Sequence, residues 1–408
     1  MTQSFYNTLS HEFTERAARA MVSQLGPANR ALHQHLQATL QRPPGESGSF
    51  VAPPVFEALF EWERQARRMD ELPLLASTLV DAMDEPPKEL SEYRFPRDRR
   101  PYLHQVRAWE ALSGEPARSA IISTGTASGK TECFLVPILN DLARELGEQK
   151  RKAPLVGVRA IFLYPLNALI NSQRDRLLAW TSGFQDRMRF CLYNGATPES
   201  EPTVNQVRSP AQVLSRAELR KSPPPILVTN TTMLEYMLVR AADACIIEQS
   251  QGLLRWIVLD EAHNYVGSQA AELSLLLRRV LNAFGAHAER IRFVATSATI
   301  GGDEASEALS RYLADLAGVD PARVVVISGK RSVPELDEKL SERTEPLPSL
   351  EEAGAMGPTG SSSGSPPSPR SASCATRWPR SPWSSRSSPP PWRAQRTLPW
   401  RRRQAPRP

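Results

Sequence analysis

The chain has 408 residues, 40% of them apolar, which is enough for a sizeable core and, by length, for two or three domains. The formal net charge is +6, but residues 357–408 hold ten arginines and no acidic residue. Residues 1–356 therefore carry −4, which excludes a globally basic nucleic-acid-binding surface. No apolar stretch reaches the roughly 18 residues of a membrane span, and the N-terminus has no signal-peptide pattern. We expect a soluble, cytoplasmic protein with no membrane partner.

Residues 1–95 are predicted to form a helical accessory region. Prolines divide it at positions 27, 43–44 and 86–87. The stretch Val55–Met69 has helical periodicity and places four apolar side chains on one face: Phe56, Leu59, Phe60 and Trp62. None of these residues carries obvious chemistry, so we expect the region to pack on the domain that follows.

Residues 96–330 alternate between short β-rich runs and helical ones. Continuous apolar strands separated by helices are typical of a parallel sheet covered on both faces, in one α/β domain. In such sheets ligands bind beyond the carboxyl ends of the strands. Seven runs are predicted as strands: Ala120–Ile122, Ala160–Tyr164, Arg189–Tyr193, Ile226–Thr229, Trp256–Leu259, Arg292–Thr296 and Val324–Ile327.

Residues 331–408 are predicted to be a linker and a disordered tail. Residues 357–408 contain twelve Ser, twelve Pro and ten Arg, but one Leu and no Ile, Val or Phe, so they cannot form a core. One interpretation is an Arg-rich RNA-binding tail. The interpretation that we favour is a frameshift product, because a GC-rich gene read out of frame gives this composition.

The most informative motif is the phosphate loop, Ser123–Thr131 (STGTASGKT), which lies between a predicted strand and an apolar helical run. Such a turn points backbone N–H groups at phosphates, and the helix N-terminus adds partial positive charge. Lys130 is expected to reach the β- and γ-phosphates, and the Thr131 hydroxyl to bind Mg²⁺. The pattern GxxxxGK[ST] has Gly where this chain has Thr124. The residues predicted to hold the nucleotide follow that position: Thr126, Ala127, Ser128, Gly129, Lys130 and Thr131.

Two carboxylates, Asp260 and Glu261, follow directly after the predicted strand Trp256–Leu259. A carboxylate at a strand end can hold Mg²⁺ opposite Thr131, and a second one can orient and deprotonate the attacking water. We assign Asp260 to the metal and Glu261 to the general base. The alternative is an acidic helix N-cap. The presence of the phosphate loop in the same predicted sheet favours catalysis.

A third motif, TSAT at Thr296–Thr299, follows another predicted strand and would by itself indicate a turn. In chain order, however, Gly129–Thr131, Asp260–His263 and Ser297–Thr299 resemble motifs I, II and III of superfamily-2 DEAD/DEAH-box helicases. The match extends from about residue 93 to residue 327. The resemblance implies a RecA-like domain that uses ATP and Mg²⁺.

Further segments strengthen the resemblance. Tyr164–Gln173 and Thr229–Leu234 look like motifs Ia and Ib, and Leu103–Gln105 looks like the adenine-reading glutamine segment. The run Asp260–Val280 is most similar to a bacterial subgroup whose full-length members end in a cysteine-rich zinc module and act in DNA repair or phage defence.

The resemblance assigns roles to individual residues. Gln105 would recognise adenine, His263 would bridge the motif sets, and Ser297 and Thr299 would couple the nucleotide state to the grip on nucleic acid. Four residues would touch the backbone of one strand of DNA, or of RNA: Asn167, Gln173, Thr229 and Asn230. Backbone contacts do not read sequence, so the resemblance implies sequence-tolerant and salt-sensitive binding. For the two asparagines, turn formation at strand ends is the alternative.

A helicase of this type also needs a second RecA-like lobe with an arginine-bearing motif, and nothing in residues 328–408 matches one. An arginine from across the cleft contributes roughly 10³–10⁵ in rate in related ATPases. We therefore expect the ATP-binding lobe of a helicase, weakly active or inactive and unable to unwind alone. The alternative function is a non-enzymatic, ATP-gated nucleic-acid-binding module whose second lobe comes from another chain.

Overall fold

The computed structural model describes residues 5–333, apart from 27, 44–45, 47–48, 53–59, 126, 151–152 and 298–302. Residues Phe60–Val333 form one compact unit. Helices α1 (Phe5–Leu25) and α2 (Arg30–Leu40) lie outside this unit and contact each other. The tail whose disorder was predicted lies outside the described residues. No helix in the described part of the chain is long and apolar enough to cross a membrane.

The compact unit is built on eight strands: β1 (Ser119–Ser123), β2 (Ala160–Leu163), β3 (Phe190–Tyr193), β4 (Gln212–Val213), β5 (Ile226–Thr229), β6 (Trp256–Leu259), β7 (Arg292–Ser297) and β8 (Val324–Ser328). They form one sheet in the order β4-β3-β5-β2-β6-β7-β1-β8, and every pairing is parallel. The predicted α/β class and its seven strands are confirmed. The eighth strand, β4, was missed because two residues at a sheet edge give no periodic signal.

Helices connect the strands and cover both faces of the sheet. Their bounds are α3 (Ser77–Asp84), α4 (Leu103–Ser113), α5 (Lys130–Glu148), α6 (Asn167–Ser172), α7 (Arg174–Thr181), α8 (Thr203–Arg208), α9 (Arg216–Lys221), α10 (Thr231–Val239), α11 (Ala244–Glu248), α12 (Ser268–Ala283) and α13 (Asp303–Ala317).

Two apolar cores separate these helices from the sheet. Alternate strand residues point to opposite faces, so Ile122 packs in the core with α3, α4, α5 and α7, whereas Ile121 packs in the core with α10, α12 and α13. Burial on both faces is the reason why the strands appear as continuous apolar runs in the sequence. Because all strands are parallel, their carboxyl ends lie along one edge, where the predicted motifs fall.

The helix predicted over Val55–Met69 is wrong for the residues that can be judged. Phe56 and Leu59 lie outside the described residues, while Phe60 and Trp62 belong to an extended segment. Trp62 forms a β-bridge with Arg331, whose guanidinium lies 3.5 Å from the indole centroid, and it also meets the His104 ring edge-on. These long-range contacts override the local helical periodicity.

Residues 60–95 pack on the α/β domain. The Asn140 side chain of α5 accepts from the backbone N–H of Ala76 and donates to the carbonyl oxygen of Leu74, at 2.7 and 3.0 Å. The Trp180 indole donates to the carbonyl oxygen of Tyr93 at 2.9 Å. The segment therefore belongs to the same compact unit as the sheet.

Candidate functional site

The phosphate loop turns sharply between β1 and α5. Ala127 and Gly129 have φ angles of 56° and 74°, in the left-handed region that glycine adopts without strain. A Cβ on Gly129 would meet the side-chain amide of Gln105, which would have to move, so the positive φ angle is what requires glycine there. Gly129 is the N-cap of α5. The first N–H groups of that helix therefore face the loop, where they can bind an anion.

Side-chain hydrogen bonds fix the shape of the loop. The hydroxyl groups of Thr124 and Ser128 lie 2.6 Å apart, and Lys130 Nζ donates to the carbonyl oxygen of Thr124 at 3.1 Å. Thr124 thus closes the loop through its side chain at the position where the pattern has glycine. His104 Nε2 donates to the carbonyl oxygen of Ser128 at 2.8 Å. Burial is the main reason why the pKa of His104 is lowered, which favours the neutral ring.

A cavity of about 370 Å³ opens in front of the phosphate loop. Residues 127–131 line it, together with Phe95, Arg99, Tyr102, Gln105, Glu132 and Arg176. Arg176 is paired with Glu132, with 3.3 Å between Nη1 and Oε1, whereas no carboxylate among the described residues pairs with Lys130. A polyphosphate is the kind of ligand that such an unpaired cation favours.

Gln105 lies beside the cavity with both ends of its amide engaged by the backbone. Its Oε1 accepts from the N–H of Tyr102 at 2.9 Å, and its Nε2 donates to the carbonyl oxygen of Gly129 at 3.3 Å. The residue is 2% exposed. In this structure, therefore, Gln105 joins α4 to the phosphate loop.

Asp260 and Glu261 follow β6 and are held by the neighbouring strand β7. The Thr296 hydroxyl donates to Asp260 Oδ1 and accepts from the backbone N–H of Glu261, the latter at 3.0 Å. Glu261 has a φ angle of 51°, a left-handed conformation that is rarely adopted by a residue with a side chain. Thr296 is fully buried. Its hydroxyl therefore fixes both carboxylate residues, a role that the sequence motif assigned to no residue.

The electrostatics of Asp260 fit a divalent cation. Burial raises the pKa of Asp260, and the charge of Glu261 raises it further, while the Thr296 hydrogen bond and the charge of Lys130 lower it. A nearby Mg²⁺ would offset the cost of this buried negative charge. The Asp260 carboxylate and the Thr131 hydroxyl are hard oxygen ligands, and Mg²⁺ uses few of these because it retains waters. The donor set fits the ion.

Of the three predicted coupling residues, the structure describes His263 and Ser297. His263 Nδ1 lies 3.3 Å from Glu261 Oε2, and Ser297 is buried at the end of β7. The Tyr312 hydroxyl of α13 lies 2.9 Å from the carbonyl oxygens of both Ala262 and Tyr265, so α13 also contacts this loop. Two of the predicted site residues, Thr126 and Thr299, lie outside the described residues.

Two of the four residues predicted to touch nucleic acid, Asn167 and Asn230, are in contact at the same sheet edge. Asn230 Nδ2 donates to Asn167 Oδ1 at 2.8 Å, and Asn230 Oδ1 accepts from the backbone N–H of Met233 as the N-cap of α10. Gln173 joins α6 to α7 and is half-buried. Thr229 is fully buried, and its hydroxyl donates to the carbonyl oxygen of Tyr193.

Comparison with known proteins identifies similar chains. The DEAD/DEAH box helicase family model matches residues 102–308, just over half of the chain. Druantia protein DruE of Escherichia coli (strain UMEA 4076-1) is 31% identical over 336 residues, which cover 60% of this chain and 18% of DruE. The uncharacterized ATP-dependent helicase YprA of Bacillus subtilis (strain 168) is 28% identical over 204 residues, 49% of this chain and 23% of YprA. The aligned regions span about a fifth of these relatives.

Among solved structures, the DUF1998 helicase MrfA bound to DNA aligns with a TM-score of 0.45 and 23% identity, over 65% of this chain and 31% of that one. The segment matched by the family model includes the phosphate loop, both carboxylates and the strands that carry them. The sheet with its covering helices is a RecA-like helicase fold. The chain belongs to the DEAD/DEAH box helicase family.

Proposed function

We propose that residues 60–333 form the Mg-ATP-binding lobe of an ATP-dependent helicase that acts on DNA. Lys130 and the N-terminus of α5 would hold the phosphates, Thr131 and Asp260 would hold Mg²⁺, and Glu261 would be the general base. The bound ion would supply charge stabilisation on the transferred phosphoryl group. These role assignments extend to the chain what the family and the geometry of the site support.

One observation carries the proposal. In the sheet, β7 alone separates β1, which leads into the phosphate loop, from β6, which leads into Asp260 and Glu261. Lys130 is close enough to Asp260 for its charge to lower the pKa of that carboxyl. A lysine and a carboxylate from distant parts of the chain therefore lie in one electrostatic environment at one sheet edge, as shared binding of magnesium and a triphosphate requires.

We further propose that hydrolysis at a useful rate needs a second RecA-like lobe, from the same polypeptide or from another. Closure of two lobes on the nucleotide supplies an arginine to the transferred phosphate and moves the nucleic acid. The lobe formed by residues 60–333 would by itself bind Mg-ATP, hydrolyse it slowly and leave duplexes intact.

DNA is the proposed nucleic acid because the run Asp260–Val280 resembles the bacterial subgroup that acts on DNA. The linked side chains of Asn167 and Asn230 support a backbone-binding edge, since asparagine amides of this kind are common partners of phosphate oxygens and both follow strand ends. Gln173 joins the proposed contact set through its place between α6 and α7. Thr229 would act indirectly, by positioning Asn230.

The test of nucleotide binding uses the full 408-residue chain and ATP labelled with a fluorophore on the ribose. We expect binding that requires Mg²⁺ and that Asp260→Asn weakens at least tenfold, a single lost charge-assisted contact. Asp315→Asn, on the exposed face of α13, is the matched control and should change nothing. If neither the removal of Mg²⁺ nor Asp260→Asn changed the affinity for the nucleotide, the proposed metal site would be wrong.

The test of nucleic-acid binding compares single-stranded DNA of two unrelated sequences with RNA of one of them, by fluorescence anisotropy. We expect tighter binding to DNA, similar affinity for both DNA sequences and weaker binding as salt rises. Tighter binding to RNA would contradict the choice of DNA. If the isolated chain hydrolysed ATP at about 1 s⁻¹, which is within the range of functioning enzymes, the proposed need for a second lobe would be contradicted.

A further inference from the structure

The turn that carries Glu261 is held in a backbone conformation that costs energy. Glu261 has a φ angle of 51°, in the left-handed region, and a residue other than glycine keeps such an angle only when its surroundings fix it. The Thr296 hydroxyl accepts from the N–H of Glu261, and the N–H and the side-chain amide of Asn264 both donate to the Glu261 carbonyl oxygen at 3.0 Å. These bonds come from β7 and from the turn itself, and the far side of the turn is held by another element.

Helix α13 holds the far side of that turn through the side chain of Tyr312. The Tyr312 hydroxyl lies 2.9 Å from the carbonyl oxygens of both Ala262 and Tyr265, and since a phenol has one proton, the two oxygens share it. The phenol of Tyr265 is buried, and within the described part of the chain its hydroxyl has no hydrogen-bond partner. Tyr312, and not Tyr265, therefore bonds α13 to the turn.

Tyr312 belongs to a helix whose position is fixed by the core. The next two residues of α13, Leu313 and Ala314, are buried in the same apolar core as the Tyr265 ring. Burial also raises the pKa of Tyr312, so its hydroxyl keeps its proton and remains a donor. The hydroxyl that bonds the turn is therefore supported by a packed helix, which is the support that accurate placement of a catalytic group requires.

The bonds of Tyr312 act on the proposed general base and not on the groups that would hold the nucleotide. They end on the residue after Glu261 and on Tyr265, whereas Lys130 and Thr131 belong to the phosphate loop at a different strand end. A general base must lie within hydrogen-bond reach of the proton that it takes, and a misplacement of about 1 Å can cost roughly a hundredfold in rate. Release of the turn should therefore slow hydrolysis and leave nucleotide binding unchanged.

On the basis of the proposed role of Glu261 as general base, we infer that Tyr312 is a positioning residue for that base. Its hydroxyl fixes the turn after β6 so that the Glu261 carboxylate is aimed at the attacking water. Tyr312 acts through Glu261 and does not touch the nucleotide. The alternative is a purely structural role, in which the hydroxyl satisfies two buried carbonyl oxygens and its loss lowers stability without a specific effect on hydrolysis.

The first experiment measures single-turnover hydrolysis of Mg-ATP, with the full chain in excess, and the affinity for the ribose-labelled ATP. Tyr312→Phe removes one hydroxyl and keeps the ring. It should lower the hydrolysis rate about tenfold and leave the affinity unchanged. In a chain that already carries Glu261→Gln, Tyr312→Phe should lower the rate no further, because both substitutions act on one step. Tyr236→Phe, which alters an exposed tyrosine of α10, is the matched control and should change neither quantity.

The second experiment requires no turnover. With Mg-ATP present, hydrogen–deuterium exchange in Tyr312→Phe should become faster in a peptide covering residues 260–266 and stay unchanged in residues 123–131 and in α13. Unchanged exchange in residues 260–266 would overturn the inference. Faster exchange throughout α13 would also overturn it, because the role of Tyr312 would then be structural.

The two experiments separate failure of the inference from failure of the proposed function. If Glu261→Gln leaves the hydrolysis rate of the wild-type chain unchanged, the proposed role of Glu261 as general base fails. If Glu261→Gln lowers the rate but Tyr312→Phe does not, or if Tyr312→Phe lowers it further in the Glu261→Gln chain, only the inference about Tyr312 fails. Equal losses of affinity and hydrolysis rate in Tyr312→Phe would likewise contradict a role in positioning the base.

Discussion

The two ends of the parallel sheet differ in whether their positively charged side chains are paired with carboxylates. At the amino ends of the strands, Arg159, Arg255 and Arg292 are each paired with carboxylates at 2.6 to 3.0 Å. Those partners come from α5 and from the segment before β1: Asp141, Glu145 and Glu115. At the carboxyl ends, Lys130 and Arg99 have no carboxylate partner among the described residues.

The difference separates residues that hold the fold together from residues that are available to a ligand. A cation already paired within the protein contributes to stability, and removing one partner leaves the other charge buried and unpaired. A cation without a partner contributes little to folding and binds an anion when one arrives. Substitutions at one end should therefore change unfolding, and substitutions at the other end should change binding.

The largest effect is expected for Lys130→Ala. Loss of the ammonium group should weaken Mg-ATP binding about a thousandfold, which is about 4 kcal/mol, since a charge-assisted contact to phosphate is lost. The free energy of unfolding should change by about 1 kcal/mol, the scale of the one hydrogen bond that Lys130 makes to the Thr124 carbonyl oxygen. Isothermal titration and urea unfolding measure the two quantities. The control is Lys221→Ala, which removes an exposed lysine. A large loss of stability in Lys130→Ala would contradict the proposed difference between the two ends of the sheet.

Arg159→Ala should give the reverse pattern. The Arg159 side chain is 7% exposed, and its guanidinium bonds Glu145 at 2.6 Å and also donates to the carbonyl oxygen of Gly157. Its loss should lower the free energy of unfolding by about 2 kcal/mol, because Glu145 keeps Arg255 as a partner while the carbonyl oxygens of Val156 and Gly157 lose a charged donor. Nucleotide affinity should stay the same. Arg311→Ala is the control, because it breaks an exposed ion pair with Glu307 and should lower the free energy of unfolding by less than about 0.5 kcal/mol. If urea unfolding showed equal losses of stability for the two variants, the paired arginines at the amino ends of the strands would have no special role in stability.

Thr296→Val should weaken Mg²⁺-dependent nucleotide binding about tenfold, since one hydroxyl holds both Asp260 and Glu261. Thr296→Ser keeps the hydroxyl and should restore the affinity. Thr181→Val removes another fully buried threonine hydroxyl, far from the site in sequence, and serves as the control. Fluorescence titration at varied Mg²⁺ measures the effect. Equal affinities for the valine and serine variants would show that the hydroxyl does not position the carboxylates.

The smallest effect concerns pH at the paired end. Burial opposes ionisation of Glu145, but hydrogen bonds from Arg159 and Arg255 outweigh it and hold its pKa below the usual value. A lowered pKa contributes stability above the ordinary Glu value near 4.3, and this stability is lost as the pH falls through the folded-state value. Between pH 5 and pH 3, the free energy of unfolding measured with urea should therefore fall further for wild type than for Glu145→Gln. The difference between the two falls should be on the order of 1 kcal/mol or less. The same pH dependence of stability in both proteins would contradict a lowered pKa for Glu145.

The fold was predictable because buried parallel strands leave an unambiguous sequence pattern. Strands β5 and β6 have the bounds that their apolar runs predicted. The phosphate loop and the carboxylates were also found from sequence, since each follows such a run. The contact of Thr296 with Asp260 could not be found from sequence, because it depends on the register of two strands. Strands β6 and β7 pair Leu259 with Ala295, so Asp260 and Thr296, the residues that follow, lie side by side.

Contacts between distant segments account for the other omissions. His104 bonds the phosphate loop from 24 residues away, and nothing in its local sequence marks it. The extended path around Trp62 depends on Arg331, more than 260 residues later. Arg99 stands among other arginines, and only the structure distinguishes it as the one that lines the cavity. Local periodicity contains no information about such pairings.

The bridge between Trp62 and Arg331 also ties the exit of β8 to the phosphate loop. A Cβ on Gly329 would press into the Trp62 ring and approach His104 Nδ1, and His104 in turn bonds Ser128. The backbone that leaves the last strand is thus linked to the phosphate loop through two aromatic rings. A continuous set of side-chain contacts therefore joins the end of the last strand to the loop that is proposed to hold the triphosphate.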